Sequence, residues 1–240
     1  MTRKIALFVT CLVDQIFPEV GVASYKLLRR SGFHVEFPEQ QTCCGQPFYS
    51  SGFIPEARKL AQQTIALLEP YDAVVIPGGS CTGMMRKDYL HLFDHDPDWH
   101  HRASAVAGKF FELSEFLFNH AVLKPKHSQK LAVTYHDSCH MLRVAGIKHP
   151  PRHLLEQVGC EIREMGESER CCGFGGFFSV RLHEVSSAMT AHKLRQGSQS
   201  SAEVLVTSDP GCLLQMRSRQ TQADTMRVEH LAVLLEEMAA

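Results

Sequence analysis

The sequence predicts an α/β protein with two pseudo-symmetric repeats, each a small, mostly parallel sheet with flanking helices and a cluster of cysteine-bearing loops. Short apolar segments alternate with amphipathic ones, the order expected for parallel strands joined by helices. Eight of the nine cysteines fall into two copies of one pattern. In each copy 31 residues separate a single cysteine from a following adjacent pair, and 36 or 39 residues separate the pair from another cysteine. The repeated spacing indicates a tandem duplication.

The first repeat is predicted to contain three strands, each ending before a segment that carries cysteine. The strands cover 4–9, 34–37 and 73–76, and amphipathic helices cover 20–28 and 54–68. The cysteines that follow these strands are, in order, Cys11, the adjacent pair Cys43 and Cys44, and Cys81. Because ligands of parallel sheets gather beyond the carboxyl ends of the strands, these four thiols are expected to converge.

A helical connector over 83–120 is predicted between the repeats. Phe110 and its apolar neighbours keep helical spacing there, and the polar segment 94–99 reads as a solvated turn. The segment 124–129 has the most linker-like composition in the chain. The predicted domains are therefore a first repeat with its connector, 1–125, and a second repeat, 126–240.

The second repeat is predicted to follow the same plan. Its strands cover 130–135, 160–163, 203–207 and 226–228, and a final helix covers 229–238. A helix over 179–194 is expected to turn Leu182, Val185 and Met189 towards the core. The cysteines of this half are Cys139, the pair Cys171 and Cys172, and Cys212, and they follow its first three strands. They form the second expected set of four thiols.

Composition favours a cytoplasmic protein that binds neither nucleic acid nor membrane. The formal net charge of the 240 residues is −1, with both signs interspersed. Apolar runs are far shorter than the roughly 20 residues that span a bilayer. The apolar run at the N-terminus stops at Cys11 without a small-residue cleavage site, so it predicts a strand rather than a signal peptide. Nine cysteines in a reducing compartment favour metal binding or redox chemistry over disulfides.

Four thiolates from three loops make a soft, anionic site that selects iron–sulfur clusters, zinc or copper(I). Zinc sites usually use two cysteines separated by only a few residues, and this sequence offers adjacent pairs and distant single thiols instead. An iron–sulfur cluster is therefore the favoured cofactor, with zinc as the alternative. Gly45, Gly79 and Gly173 lie beside the cysteines, where small residues let backbone N–H groups approach cluster sulfurs.

Three further residues are of interest beside the eight patterned cysteines. His136 and His140 flank Cys139 and are candidates for hydrogen bonding to the centre or for carrying protons. Cys160 lies outside both copies of the pattern and is expected to be a small buried hydrophobic residue.

The cysteine motifs resemble the cysteine-rich CCG domain found in heterodisulfide reductase and in the iron–sulfur subunit of glycolate oxidase. Over nearly its whole length the chain resembles the lactate utilization protein A family. The segments that carry this resemblance are 8–11, 37–47, 79–81, 135–139, 171–179 and 211–214. The resemblance implies an iron–sulfur subunit of a cytoplasmic three-protein system that oxidises L-lactate to pyruvate. Its implied partners are other lactate utilization proteins, including a ferredoxin-like iron–sulfur subunit.

The chain departs from the wider CCG pattern at one position in each repeat. That pattern ends in C-x-x-C and supplies five thiolates, but here Met84 and Gln215 occupy the last position. Four thiolates per site are enough for a 4Fe–4S cluster in one or both sites. Three hypotheses follow: an electron-transfer subunit, a thiol/disulfide-active reductase subunit, and a zinc-binding structural or interaction module.

Overall fold

The computed structural model describes residues 4–128, 130–221 and 224–240, which form an α/β protein with two four-stranded parallel sheets. The strands are β1 Ile5–Leu7, β2 Val35–Glu36, β3 Ala73–Ile76, β4 Phe110–Glu112, β5 Leu131–His136, β6 Cys160–Ile162, β7 Val204–Thr207 and β8 Arg227–His230. The helices are α1 Cys11–Gln15, α2 Pro18–Arg30, α3 Gln46–Ser50, α4 Ile54–Leu68, α5 Gly79–Gly83, α6 Tyr89–Leu92, α7 Pro97–Ala107, α8 Leu113–His120, α9 Cys139–Arg143, α10 His149–Gln157, α11 Phe177–Arg181, α12 His183–Gln199, α13 Pro210–Arg217 and α14 Leu231–Met238. A π-helical turn, Met84–Asp88, joins α5 to α6.

The two sheets have the same strand order, and their two central strands pair in the same register, which confirms the predicted pseudo-symmetric repeats. The first sheet runs β2-β1-β3-β4 and the second runs β6-β5-β7-β8. Leu7 pairs with Val75 in the first, and Tyr135 pairs with Val206 in the second. Phe8, which follows Leu7, therefore stands at the position of His136. β1 and β5, the first central strand of each sheet, both end at the edge where the cysteines begin.

The connector between the repeats contains a strand that the sequence analysis did not predict. Phe110, expected on a helix, opens β4, which pairs in parallel with β3 and completes the first sheet. The apolar spacing around Phe110 fits both structures, and pairing with β3 decides between them. The predicted solvated turn is also shorter than expected. Asp96 accepts a hydrogen bond from the Trp99 N–H, so α7 begins within that segment.

The long helix of the second repeat turns a different face inward than predicted. It is interrupted at Leu182, and the side chains of Leu182 and Val185 are 49% and 53% exposed. The buried face carries Ser186, Thr190 and Lys193 instead. These polar side chains make hydrogen bonds to the loop that holds Cys171 and Cys172, which this part of the helix covers.

The two repeats share one hydrophobic core. Ile5 and Leu7 of the first sheet belong to the same buried cluster as Val133 and Tyr135 of the second. A second cluster, centred on Phe8, lies wholly within the first half. In the segment predicted as a linker, Pro125 bridges to Ala239 near the end of the chain, and Gln129 lies outside the described residues. The boundary after residue 125 stays a prediction.

Glu112 ends β4 as a fully buried carboxyl group that caps α8. One of its oxygens accepts hydrogen bonds from the N–H groups of Ser114 and Glu115, and its other oxygen has no hydrogen-bond partner among the described residues. Burial raises the pKa of Glu112 from 4.5 to about 7. The folded state therefore loses stability as the pH rises from 4.5 to 7, because the unfolded chain ionises first.

We expect Glu112→Gln to flatten this pH dependence. A shift of this size corresponds to about 2–3 kcal/mol of unfolding free energy lost between pH 5 and pH 8. Urea unfolding at the two pH values should show that the variant loses less stability than the parent by this amount. Glu56→Gln, on the exposed side of α4, is the control that removes a surface carboxylate. Equal losses in the parent and in Glu112→Gln would contradict the prediction.

Candidate metal centres

The loops beyond the first sheet bring four cysteines together. Cys11 is the first residue of α1, Cys81 lies in α5, and Cys43 and Cys44 lie between β2 and α3. The sulfur of Cys11 is 3.7 Å from that of Cys43, and the sulfur of Cys44 is 3.3 Å from that of Cys81. Cys44 and Cys81 are buried, whereas Cys11 and Cys43 are half-buried. The site therefore has an inner pair and an outer pair of thiols.

The second sheet repeats this arrangement. Cys139 opens α9, Cys212 lies in the first turn of α13, and Cys171 and Cys172 lie in the loop after β6. The sulfurs of Cys172 and Cys212 are 3.2 Å apart and buried, and Cys139 and Cys171 form the half-buried outer pair. All nine cysteines of the chain are described and all are free thiols. Cys160 is buried at the start of β6, away from both sets.

Hydrogen bonds between thiols concentrate negative charge on one sulfur of each set. The Cys11 thiol donates to Cys43, which lowers the pKa of Cys43 to about 3 and raises that of Cys11. In the same way, Cys139 lowers the pKa of Cys171 to about 2 while its own pKa rises. Four close thiols cannot all ionise without a compensating cation, so each set is suited to exchange its protons for a metal.

Two of the three glycines singled out in the sequence place backbone N–H groups on sulfur. The N–H groups of Gly45 and Gly173 each lie 3.4 Å from the sulfur of the first cysteine of their pair, Cys43 and Cys171. The Gly79 N–H donates instead to the Ser208 carbonyl of the other half. A Cβ atom at Gly79 would lie 2.4 Å from the Met141 side chain, so this glycine allows the two repeats to approach.

The surroundings of the two sets differ, although their backbones correspond. Near the second set, buried polar side chains occupy positions that are mostly apolar near the first. The corresponding pairs, first half before second, are Phe8 and His136, Ala57 and Ser186, Ala61 and Thr190, Thr64 and Lys193, and Met84 and Gln215. All five residues of the second half are buried. This contrast was missed in the sequence analysis, and an alignment of the two halves would have shown it.

Three of these polar residues hold the loop of the second set in place. Ser186 donates to the Gly173 carbonyl and Thr190 to the Cys172 carbonyl, both at 2.8 Å. The Gln215 amide donates to both hydroxyl groups. In the first half the Tyr89 hydroxyl donates to the Cys44 carbonyl at 2.9 Å. The carbonyls beside the second cysteine pair are therefore held by a network of buried side chains, whereas the Cys44 carbonyl of the first pair is held by a phenol.

The remaining two polar residues bring a cation and an imidazole close to the second set. Lys193 donates to the carbonyls of Glu167 and Ser168, and burial lowers its pKa to about 8, which the charges of Cys172 and Cys212 oppose. Burial, followed by the charge of Lys193, lowers the pKa of His136 to about 3, so its ring is neutral near pH 7. One ring nitrogen of His136 lies within 4.8 Å of the sulfurs of both Cys172 and Cys212.

A small cavity opens onto the second set between the two repeats. It has a volume of about 140 Å³, and its walls include all four cysteines of that set together with Gln46, Pro47, Ser50 and Ser80 of the first half. His140 lines it too, 34% exposed and 3.8 Å from a carboxylate oxygen of Asp88. A cavity of about 350 Å³ adjoins the first set. Of the four cysteines of that set, the outer pair, Cys11 and Cys43, lines this cavity and the inner pair does not.

The donor atoms of both sets fit a soft metal or an iron–sulfur cluster. Each set offers four sulfurs at or near contact distance, the ligand type that such centres use. Beside the second set, the buried ring nitrogens of His136 have no hydrogen-bond partner among the described residues. Groups buried in this way are usually paired in native proteins, so an unpaired imidazole points to a bound species. The structure thus defines candidate metal centres without specifying the metal.

Comparison with known proteins agrees with this organisation. The profile of the cysteine-rich domain family, CCG, matches residues 5–86 and 133–217. Lactate utilization protein A of Geobacillus kaustophilus is 43% identical over 237 residues, which cover 97% of this chain and 98% of that protein. The protein of that name from Halalkalibacterium halodurans is 43% identical over 235 residues, covering 97% and 96%.

A solved structure of a hypothetical protein from Helicobacter pylori has the same fold. Its TM-score is 0.65 at 13% sequence identity, and the match covers 97% of this chain and 48% of that one. Fold and sites together define a protein with two cysteine-rich CCG domains. The chain belongs to the lactate utilization protein A family. In the described part of the chain, no helix combines the length and apolar character needed to cross a membrane.

The paired glycines allow a test of how tightly each loop is built. Gly45 and Gly173 have φ angles of +88° and +94°, so alanine is strained equally at both positions, by about 1–2 kcal/mol. A Cβ atom at Gly173 would lie 2.6 Å from the Ser186 carbonyl oxygen, whereas one at Gly45 has 3.4 Å to its nearest neighbour. Gly173→Ala should therefore cost a further ~1–3 kcal/mol of unfolding free energy for overpacking.

Urea unfolding of Gly173→Ala and Gly45→Ala, side by side, measures this difference directly. We expect Gly173→Ala to lose more unfolding free energy than Gly45→Ala. Equal losses of unfolding free energy would show that α12 is not packed as tightly on the loop as the structure indicates.

Proposed function

We propose that this chain is the iron–sulfur electron-transfer subunit of a cytoplasmic complex that oxidises L-lactate to pyruvate. The observation that carries the proposal is the convergence of two sets of four thiols in a member of the lactate utilization protein A family. The proposed ligands are Cys11, Cys43, Cys44 and Cys81 for one centre and Cys139, Cys171, Cys172 and Cys212 for the other. Four thiolates per centre match a 4Fe–4S cluster.

Ligand spacing supports clusters over zinc, and the backbone hydrogen bonds are consistent with a cluster. The N–H groups of Gly45, Gly173 and Phe174 all point to cysteine sulfurs at 3.4–3.5 Å. Such hydrogen bonds stabilise the negative charge of a reduced cluster and help to set its potential. Structural zinc sites accept such hydrogen bonds too, but their ligands usually come from short knuckles. Each centre in this chain instead draws its ligands from three separate loops.

The burial of the thiols suits electron exchange with partners. In both sets the inner pair is buried, and the outer pair lies near the surface. Oxidation of lactate to pyruvate releases two electrons and two protons, and iron–sulfur clusters carry electrons one at a time. A chain with one or two such centres can therefore pass electrons from a lactate-oxidising partner to a ferredoxin-like iron–sulfur subunit. The chain's own residues hold the centres and tune them through hydrogen bonds.

Metal and sulfide content after anaerobic purification tests the proposal. We expect several irons per chain, matched by acid-labile sulfide, with visible absorbance that dithionite bleaches. Cys172→Ser should lower both contents by up to half, because it removes a donor from one of the two proposed centres. Cys160→Ser changes a buried cysteine outside both sets and should leave them unchanged. Zinc without acid-labile sulfide would contradict the proposed iron–sulfur clusters and would favour a zinc-binding structural or interaction module.

A second candidate function has one observation in its favour. The cavity between the repeats reaches Cys139 and Cys171, and the low pKa of Cys171 is typical of a reactive thiolate. A thiol/disulfide-active subunit would use this opening to admit a small disulfide. We expect the isolated protein not to turn over a small aromatic disulfide with dithionite as reductant. Turnover that Cys171→Ser abolishes and Cys43→Ser preserves would favour the reductase over the electron carrier.

A further inference from the structure

His136 is a buried imidazole whose setting the four thiols alone do not explain. It is the last residue of β5, fully buried, and one ring nitrogen lies within 4.8 Å of the sulfurs of Cys172 and Cys212. Neither nitrogen makes a hydrogen bond within the part of the chain that the structure describes, not even to those sulfurs. Native proteins rarely leave such a group buried without a partner. The side chain is placed as a ligand would be.

The distances place the imidazole among the donor atoms of the second centre. Cys172 and Cys212 have their sulfurs 3.2 Å apart, and one imidazole nitrogen lies within 4.8 Å of both. Donor atoms on one zinc ion lie about 3.5–3.8 Å apart, and those on neighbouring irons of a cluster lie farther apart. Small side-chain adjustments would therefore let all three donors bind the same centre.

The fold itself does not require histidine at this position. Phe8 occupies the corresponding place in the first half, where it is fully buried in a hydrophobic cluster. The backbone is alike at both positions: a central parallel strand ends there, before a helix that begins with a cysteine. A histidine retained in only one of two copies therefore reflects the site next to it rather than the strand.

A backbone carbonyl lies next to His136. The Ser168 carbonyl accepts hydrogen bonds from the N–H of Asp137, the residue after His136, and from Lys193. Metal-ligating histidines commonly direct their second ring nitrogen to a backbone carbonyl, which orients the ring. One nitrogen of His136 is then left for a metal.

We propose that His136 is a ligand of the metal or cluster of the second centre, beside Cys172 and Cys212, so that this centre has nitrogen as well as sulfur ligands. The proposal rests on the proposed function, because it requires the cysteines to hold a metal. The first centre, with Phe8 in place of the imidazole, has sulfur ligands only. The two centres of the chain are therefore chemically different.

This ligand set makes the second centre the easier of the two to reduce. Imidazole is neutral, and histidine ligands raise the potential of iron–sulfur centres above that of all-thiolate ones. The buried cation Lys193 acts in the same direction, since positive charge stabilises the reduced, more negative state. Thr64 is the corresponding residue beside the first centre and has no charge. An electron shared by both centres resides mainly on the second.

X-ray absorption at the edge of the metal that the anaerobically purified protein holds tests the ligand directly. The parent should show a nitrogen shell with the outer-shell scattering of imidazole, and His136→Phe should lose it. His140→Phe is the matched control, because His140 directly follows Cys139 but its ring lies 3.8 Å from a carboxylate oxygen of Asp88. Cys81→Ser disturbs only the first centre, so the nitrogen signal per remaining metal should rise.

Two further measurements separate a ligand from a structural residue. His136→Cys keeps a soft donor, so it should retain the metal content of the parent while the nitrogen signal disappears. In a redox titration followed by electron paramagnetic resonance, His136→Phe should shift the more positive of two potentials to lower values and leave the other unchanged. Circular dichroism checks that both variants fold.

The outcomes distinguish this inference from the function on which it rests. Full iron and sulfide with sulfur-only coordination in the parent would overturn the histidine ligand and leave the electron-transfer function standing. Zinc with an imidazole ligand lost in His136→Phe would support the ligand and overturn the cluster. A protein that holds no metal at all would overturn both.

Discussion

The structure depends on one geometric constraint, that neighbouring parallel strands all end at the same edge of a sheet. In each repeat, three strands deliver cysteines to that edge, where pairs of sulfurs lie 3.2–3.7 Å apart. Such close thiols repel as anions, so they either share protons or bind a cation. The glycines with positive φ that follow each cysteine pair let the loop turn back towards the sulfurs. Sheet topology and loop conformation thus act together in each repeat to bring four thiols into one site suited to a metal.

Duplication preserved that design while the surroundings of the two sets diverged. The first set is enclosed by Phe8 and by small side chains of α4, so its loop is held mainly by apolar packing. The second is enclosed by hydroxyl and amide groups, a buried ammonium and a buried imidazole. The hydroxyl, amide and ammonium groups offset their desolvation cost with hydrogen bonds to loop carbonyls or to one another, whereas the imidazole of His136 makes none within the described residues. Because the two backbones correspond, the difference in chemistry between the sites lies in these side chains.

Much of this architecture could be predicted from the sequence, and the errors have physical causes. The strand at 73–76 and the cysteine-bearing segments were placed correctly because apolar runs and repeated spacing are local signals. Phe110 was assigned to a helix because its spacing fits both structures, and only pairing with β3 distinguishes them. Leu182 and Val185 were expected to be buried because hydrophobicity was taken to define the inner face of the helix. The helix covers a polar loop, so Lys193 and its neighbours are buried instead. The shared core of the two repeats depends on long-range packing, which no local pattern encodes.

The two sets of thiols are also held in a fixed relation to each other. Asp209 is the residue that joins them: one carboxylate oxygen accepts from the Gly211 and Cys212 N–H groups at the start of α13. Its other oxygen accepts from the Ser80 N–H in α5, beside Cys81, at 2.7 Å. The Gly79 N–H adds a bond to the Ser208 carbonyl, and Gly79 has no side chain to keep the repeats apart. A single carboxylate thus caps the helix of one centre and contacts the helix of the other. The proposed exchange of electrons between the two centres would depend steeply on their separation, and the hydrogen bonds of Asp209 fix that separation.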